Sequence, residues 1–181
     1  MRIVAGKFKG RTLKSPKSTT TRPTQGMLRE AIFNICQNEI GGAHFLDLFA
    51  GSGAMGLEAL SRGAAHVTFV EQNRGALQCI KENIQALQIK ENEYRTLAMH
   101  YLKALEILHR EKCQFRLIYI DPPYDLKIDL SQMAPLLGLE GILFLEERYD
   151  PKHTQMTEIA NLKILDTRRF GLARLTMYAH S

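Results

Sequence analysis

Three patterns in this 181-residue chain carry side chains able to do chemistry. The first is Asp47 followed by Gly51-x-Gly53-x-x-Gly56, within HFLDLFAGSGAMG at His44–Gly56. A tight turn is the plain reading of Gly-x-Gly, because glycine adopts conformations closed to other residues. A phosphate cradle is a second reading, since the spacing fits a dinucleotide loop. Asp47 argues against it: a carboxylate there repels a pyrophosphate and welcomes a cation or an amine. The second is Glu71, about twenty residues past the loop, where an acid commonly accepts ribose hydroxyls. The third is Asp121-Pro122-Pro123-Tyr124. Its plain reading is a rigid turn at a strand end. Its chemical reading is a clamp for an exocyclic NH2. The Asp121 carboxylate and the Pro122 carbonyl accept its hydrogens, and Tyr124 stacks on the base.

The elements around these residues can be read from apolar spacing. Phe45, Leu46, Leu48 and Phe49 form a short run suited to a strand buried on both faces. Ala54–Arg62 has helical spacing of Leu57 and Leu60. Strand, glycine loop and helix make the first βα unit of a doubly wound sheet, whose ligands lie beyond the carboxyl ends of the strands. Glu71 ends the next apolar run, His66–Val70, and Asp121 ends another, Phe115–Ile120. A ligand with a ribose and an amino group but no phosphate suits both Asp47 and Glu71, and S-adenosylmethionine is such a ligand. The combined D-x-F-x-G-S-G…E pattern resembles the class I methyltransferases, and D-P-P-Y resembles the signature of those acting on adenine N6, guanine N2 or cytosine N4.

In chain order, residues 1–14 read as a hairpin turning at Gly6–Gly10, and Ser15–Thr21 as a polar linker. A helix follows, capped by Thr24, with Met27, Leu28, Ala31, Ile32 and Ile35 on its apolar face and Gly41-Gly42 at its end. Arg29, Glu30 and Asn34 fall off that face. A second helix covers Asn73–Leu87, a strand Tyr94–Met99, and a helix Tyr101–His109. Asp129–Leu137 reads as a helix broken by Pro135. Gly141–Glu146 reads as the fifth strand. Glu146 and Glu147 at its end are expected on a solvated rim, with the target cleft as the other reading. Pro151–Ala160 reads as a short helix, and Leu162–Phe170 with Leu172–Ala179 as a hairpin about Gly171.

A closer resemblance emerges from R-I-V-A-G-x-x-K-G-R-x-L at Arg2–Leu13, then R-P-T and R-E-A-I-F-N within Arg22–Asn34, then the block at Asp47–Gly63 and D-P-P-Y. Together they are similar to the bacterial RsmD family of 16S rRNA guanine-N2 methyltransferases, over nearly the whole chain. The resemblance implies an α/β, Rossmann-like class I methyltransferase fold. Its sheet would have seven mostly parallel strands in the order 3-2-1-4-5-7-6, with helices on both faces and a small N-terminal β-hairpin. Residues 1–21 would be the basic hairpin and linker, and 22–181 the methyltransferase domain with its N-terminal helix. The implied cofactor is S-adenosylmethionine, held by Asp47, Phe49, Gly51, Ser52, Gly53, Glu71, Gln72, Ala98 and Met99. The implied catalytic residues are Asp121, Pro122, Pro123 and Tyr124. The implied acceptor is a guanine N2 in 16S rRNA, free or within the 30S subunit. Arg2, Lys7, Lys9, Arg11, Arg22, Arg29 and Asn34 are the candidate substrate contacts. Leu97-Ala98-Met99 departs from the family, which usually has a polar residue before the Ala to take the adenine amine. Backbone amides or Met99 must then serve the adenine.

Composition narrows the class. The net charge is +5, and every acid follows a basic stretch containing Arg2, Lys7, Lys9, Arg11, Lys14, Lys17, Arg22 and Arg29. Such an arm is an electrostatic footprint for nucleic acid. The three cysteines and six histidines have no metal-ligand or disulfide spacing. With no long apolar span and no secretory leader in view, the expectation is a cytoplasmic monomer without a metal. Three rivals remain: a DNA adenine-N6 or cytosine-N4 methyltransferase, a non-catalytic RNA-binding assembly factor, and a nicotinamide-dependent dehydrogenase.

Overall fold

A computed structural model of the chain describes residues 1–16, 23–123, 126–151 and 158–181. The elements are α1 (Pro23–Ile35), β1 (His44–Asp47), α2 (Ala54–Ser61), β2 (His66–Glu71), α3 (Arg74–Leu87), β3 (Tyr94–Ala98), α4 (Tyr101–Arg110), β4 (Phe115–Ile120), β5 (Leu137–Arg148), β6 (Glu158–Ile159), β7 (Leu162–Phe170) and β8 (Ala173–His180). One sheet runs β3-β2-β1-β4-β5-β8-β7-β6. The five strands from β3 to β5 are parallel, and β8, β7 and β6 add antiparallel pairs. The expected seven-strand order is present, with the two-residue β6 as an additional edge strand. Strand order reverses at β1, which lies between β2 and β4, and this switch point is where a crevice opens at the carboxyl ends.

The apolar runs form strands because both sheet faces are covered. Alternation by two sends Phe45, Phe69, Leu117 and Phe144 against Leu28, Ile32 and Phe33 of α1, Leu57 and Leu60 of α2, and Ile80 and Ile84 of α3. Their neighbours Leu46, Val70, Ile118 and Leu143 face Ala104, Leu105 and Leu108 of α4 together with Met133 and Leu136.

Several elements differ from the sequence reading. Asp129–Leu137 is not an α-helix but two 3₁₀ turns, Leu130–Gln132 and Ala134–Leu136. Pro135 cannot donate an amide and its ring crowds the preceding turn, so helix does not propagate through it. The fifth strand is longer than expected, Leu137–Arg148. Of the helix expected at Pro151–Ala160, residues 152–157 lie outside the described residues, and Glu158–Ile159 is strand.

The N-terminal segment has the hydrogen bonds of a hairpin but not its two strands. Arg2 and Thr12 form an isolated bridge, with the Ile3 amide donating to the Arg11 carbonyl at 3.0 Å. Gly10 and Leu13 also donate back across the turn, to the Ile3 and Met1 carbonyls, but the amides that face α2 serve that helix instead of a partner strand. Val4 and Ala5 donate to the Glu58 carboxylate at 2.8 and 3.0 Å, Phe8 to Ser61 Oγ at 2.9 Å, and Lys7 to the Ser61 carbonyl at 2.7 Å. Gly6 permits this approach: its φ is 81°, and a Cβ there would lie 1.8 Å from the Ser61 carbonyl oxygen. The arm continues along α3, where Asn83 accepts from the Lys14 amide at 2.8 Å and donates to the Lys14 carbonyl at 3.0 Å.

Candidate active site

The glycine loop leaves β1 and enters α2 through two left-handed glycines, Gly51 at φ 53° and Gly53 at φ 79°. The Ala50 amide donates to the Val70 carbonyl and the Gly53 amide to that of Ala50, which ties the loop to β2. Gly56 has a different task. A Cβ there would lie 2.3 Å from Phe69 Cε1 and 2.6 Å from Val67 Cγ1, so the missing side chain is what lets α2 lie close on β2. Gly56→Ala is expected to lower stability by about 1–3 kcal/mol through overpacking. A fall in the urea midpoint at unchanged m-value is the measurement, and an unshifted midpoint would show that α2 moves freely.

Three carboxylates arrive at the same end of the sheet. Asp47, 1% exposed, accepts from the Gly56 amide at 3.0 Å. Burial pushes its carboxyl up to about 7; the Gly56 amide opposes this and the charge of Glu71 adds to it. Asp121, one residue past β4, is pushed up to about 8, first by burial and then by the charges of Glu146 and Asp47. Glu146, 7% exposed on β5, is also raised by burial, while its hydrogen bond from Tyr119 Oη at 2.5 Å pulls the other way. Glu71 stands apart, its two oxygens accepting amides from Gly51 at 2.8 Å, Gln72 at 2.8 Å and Asn73 at 2.7 Å. A carboxylate offers roughly four acceptor positions, so Glu71 orients the loop and keeps about one for a ligand hydroxyl.

These groups surround a cavity of about 840 Å³. Of the candidate cofactor residues, Asp47, Phe49, Gly51, Ser52, Glu71, Gln72 and Met99 line it. Gly53 does not; it faces Ile80 and Phe69, where a Cβ would meet their side chains at 3.1 and 3.3 Å. Ala98 does not line it either and is exposed at the end of β3. Asp121, Pro122 and Pro123 line the same cavity, while Tyr124 lies outside the described residues. Phe49, Met99 and Tyr101 make an apolar wall, with Phe49 and Tyr101 rings 5.1 Å apart.

The candidate substrate contacts divide. Arg2, Lys9 and Asn34 are exposed and away from the cavity. Lys7 pairs with Glu93 at 2.7 Å, and Arg11 donates to the Ala86 carbonyl at 2.7 Å, so part of the arm's charge is engaged with its own protein. Arg22 lies outside the described residues. Arg29, expected off the apolar face of α1, is instead 6% exposed and lines the cavity. The arm covers that side of the helix, and Arg29 donates to the Arg2 carbonyl at 2.7 Å while its Nε sits 3.7 Å from Glu58.

Glu146 is not on the solvated rim expected of it but, as in the other reading, lines the cleft. Register pairs Tyr119 with Phe144, so the strand period puts Tyr119, Asp121, Phe144 and Glu146 on one face. Leu143, Phe144 and Leu145 are all apolar and buried, so no alternation in the sequence signals the side on which Glu146 falls. Tyr119 and Tyr101 were missed because each reads as an apolar core residue within its own element.

The chain is similar to methyltransferases over nearly its whole length. A family model described as Conserved hypothetical protein 95 matches residues 1–179. The Bacillus subtilis protein titled "Putative rRNA methyltransferase YlbH" is 35% identical over 183 residues, covering 98% of each chain. The Ribosomal RNA small subunit methyltransferase D of Escherichia coli K12 is 34% identical over 155 residues, covering 83% of this chain and 76% of its own. Among solved structures, the putative methyltransferase yhhF from Escherichia coli superposes with a TM-score of 0.80 at 29% identity, covering 100% of this chain and 98% of that one.

Proposed function

Since the chain belongs to the Conserved hypothetical protein 95 family of RsmD-like methyltransferases, we propose that it transfers a methyl group from S-adenosylmethionine to the N2 amine of a guanine in 16S rRNA, on the 30S subunit or an assembly intermediate. One observation carries the reading: Asp47, Glu71 and the Asp121–Pro122 turn meet around one cavity at the switch point of the sheet.

The donor set fits the cofactor. Glu71 retains an acceptor for a ribose hydroxyl, the wall of Phe49, Met99 and Tyr101 suits a purine, and the surplus of buried carboxyls suits a cation. When bound, the cofactor supplies an electrophilic methyl on a positively charged sulfur. The chain supplies positioning. An amine conjugated to a purine is a weak nucleophile because its lone pair is delocalised. The Asp121 carboxylate and the Pro122 carbonyl accept its two hydrogens and favour a pyramidal nitrogen. Such orientation contributes a large part of an enzyme's acceleration. Asp121 also stabilises the positive charge that develops on the nitrogen and accepts its proton afterwards. Because the target atom must leave any stack to reach the cavity, the base enters flipped or from an unpaired segment.

The test is tritium transfer from labelled S-adenosylmethionine to 30S subunits lacking the modification, followed by digestion to nucleosides. Label in N2-methylguanosine is the expected result. Label in another RNA base, or in DNA instead of RNA, would overturn the substrate and keep the reaction class. Cofactor binding without any transfer would favour an assembly factor.

A further inference from the structure

Glu146 is a buried acid to which the mechanism above gives no task. It is 7% exposed, lines the cavity, and takes part in none of the ion pairs formed among the described residues. Its neighbour Glu147 falls on the other face of β5 and pairs with Arg174 at 2.9 Å. A carboxylate taken out of water is normally held by a cation or by several donors. Among the described residues Glu146 has one donor, the Tyr119 hydroxyl, 2.5 Å from Oε2. Burial first, then the charge of Asp121, raises that hydroxyl well above its ordinary range, so it keeps its proton and donates. Oε2 is thereby fixed, and Oε1 is left to accept from a ligand.

The sheet puts this acceptor beside the amine clamp. Ile120 pairs with Leu145, so one step further along Asp121 stands level with Glu146 on the adjacent strand and on the same face. Adjacent strands lie about 4.8 Å apart, which brings the two carboxyls side by side. A second acceptor next to an amine clamp discriminates among bases by their Watson–Crick edges. Beside the N2 amine of guanine is N1, which carries a hydrogen. Beside N6 of adenine is N1, and beside N4 of cytosine is N3, and both are bare acceptors that a carboxylate repels. The D-P-P-Y turn alone cannot make this choice, because its acceptors suit any exocyclic amine.

We propose that Glu146 is a specificity-determining residue: its Oε1 accepts the N1 hydrogen of guanine while Asp121 and the Pro122 carbonyl hold the N2 amine, and Tyr119 is the positioning residue that aims it. The inference rests on the guanine-N2 reading above and supplies its reason for guanine over adenine or cytosine. A site built to bond a substrate N–H rejects the analogue that lacks it, because its own buried group is then left unpaired.

The test replaces the target guanine by 2-aminopurine, which has the same amine at C2 but an unprotonated N1. 30S particles are reconstituted with ligated 16S rRNA carrying either base at the nucleotide that wild type labels, and single-turnover transfer and RNA affinity are measured on each. Wild type is expected to favour guanine by roughly 10²-fold. In Glu146→Gln the Tyr119 hydroxyl holds the amide oxygen and turns the NH2 toward the base. That variant should bring the ratio near one, losing rate on guanine and gaining it on 2-aminopurine. A merely structural role would lower both rates together. Tyr119→Phe should lower the guanine preference in part, without the gain. The missing O6 of 2-aminopurine weighs equally on every variant, so the change in ratio isolates N1. No preference in wild type, which needs no variant to fold, would overturn the proposal. So would an unchanged ratio in Glu146→Gln, and so would a loss of cofactor affinity at unchanged ratio, which would give Glu146 to the cofactor. Absence of N2-methylguanosine from the unsubstituted particles would overturn the guanine reading itself, a distinct result.

Discussion

Asp121→Asn is expected to bind S-adenosylmethionine as wild type does and to lower kcat by about 10²–10³-fold, the range seen when one pre-positioned polar group is removed from a transition state. The substitution keeps the side-chain volume but replaces one acceptor oxygen with an NH2, which faces the amine donor to donor. Single-turnover transfer to RNA, with cofactor affinity measured in parallel, separates the two effects. Normal turnover would remove Asp121 from the mechanism. The same residue sets a pH dependence. Its carboxyl is pushed up to about 8 in the free protein, and only the ionised form is a charged acceptor able to take the amine's proton. Turnover per substrate encounter should therefore rise with pH through that region, and the positive charge of the bound cofactor should draw the rise to lower pH. Stability runs the opposite way. Folded Asp121 and Asp47 hold their protons more tightly than the ordinary value of 3.8, so protonation favours the folded state. Their contribution is full below about pH 4 and is lost as pH rises through about 7 and 8. Other carboxyls have the reverse sign, Glu82 and Glu93 being held low by Lys14 and Lys7. The quantity to measure is the difference between wild type and Asp121→Asn in melting temperature against pH.

What the sequence made legible was local chemistry. Strand, glycine loop and helix at His44–Ser61 follow from apolar spacing and the left-handed freedom of Gly51 and Gly53, and each is where expected. Phe115–Ile120 and Leu162–Phe170 have the bounds expected of them. Glu71 and Asp121 reach the same cavity because parallel strands necessarily deliver their carboxyl ends to one edge. What stayed hidden depends on contacts between distant segments. Arg29 falls off the apolar face of its helix and is nonetheless buried, because a helical pattern shows which face is apolar but not what else is packed on the helix. Residues 1–14 read as two strands, yet the Val4, Ala5, Lys7 and Phe8 amides donate to Glu58 and Ser61, a choice no pattern within the segment encodes. Glu146 needed the register of β4 on β5, and only the sheet supplies that.

Glu58→Ala is expected to have the largest effect on stability of any single substitution in the chain. Glu58 is 0% exposed and stands on α2 between Leu57 and Ala59, where sequence alone suggests another helix former. Its removal leaves the Arg29 and Arg62 guanidiniums without their shared counter-charge and the Val4 and Ala5 amides without their acceptor. Breaking a buried pair by deleting one partner costs about 3–5 kcal/mol. For a domain of this size each kcal/mol corresponds to roughly 2–4 °C, so the melting temperature should fall by about 6–20 °C. Glu58→Gln keeps an acceptor for one amide while losing the charge, and it should fall between the two. The effect should also be local before it is global. Hydrogen exchange at Val4, Ala5 and Phe8 should accelerate in the variants at temperatures where β1 and β4 remain protected. The consequence should reach the cavity through Asn83, which holds Lys14 of the arm and also donates to the Ser52 carbonyl of the glycine loop at 3.2 Å. A freed arm withdraws Ser15, which lines the cavity, and the Arg2 carbonyl, which holds Arg29, so S-adenosylmethionine should bind more weakly to the folded variant. If Glu58→Ala loses stability yet keeps wild-type cofactor affinity, the arm is a structural clasp alone. If it loses neither, the two guanidiniums find other partners and the buried carboxylate is not what holds the arm in place.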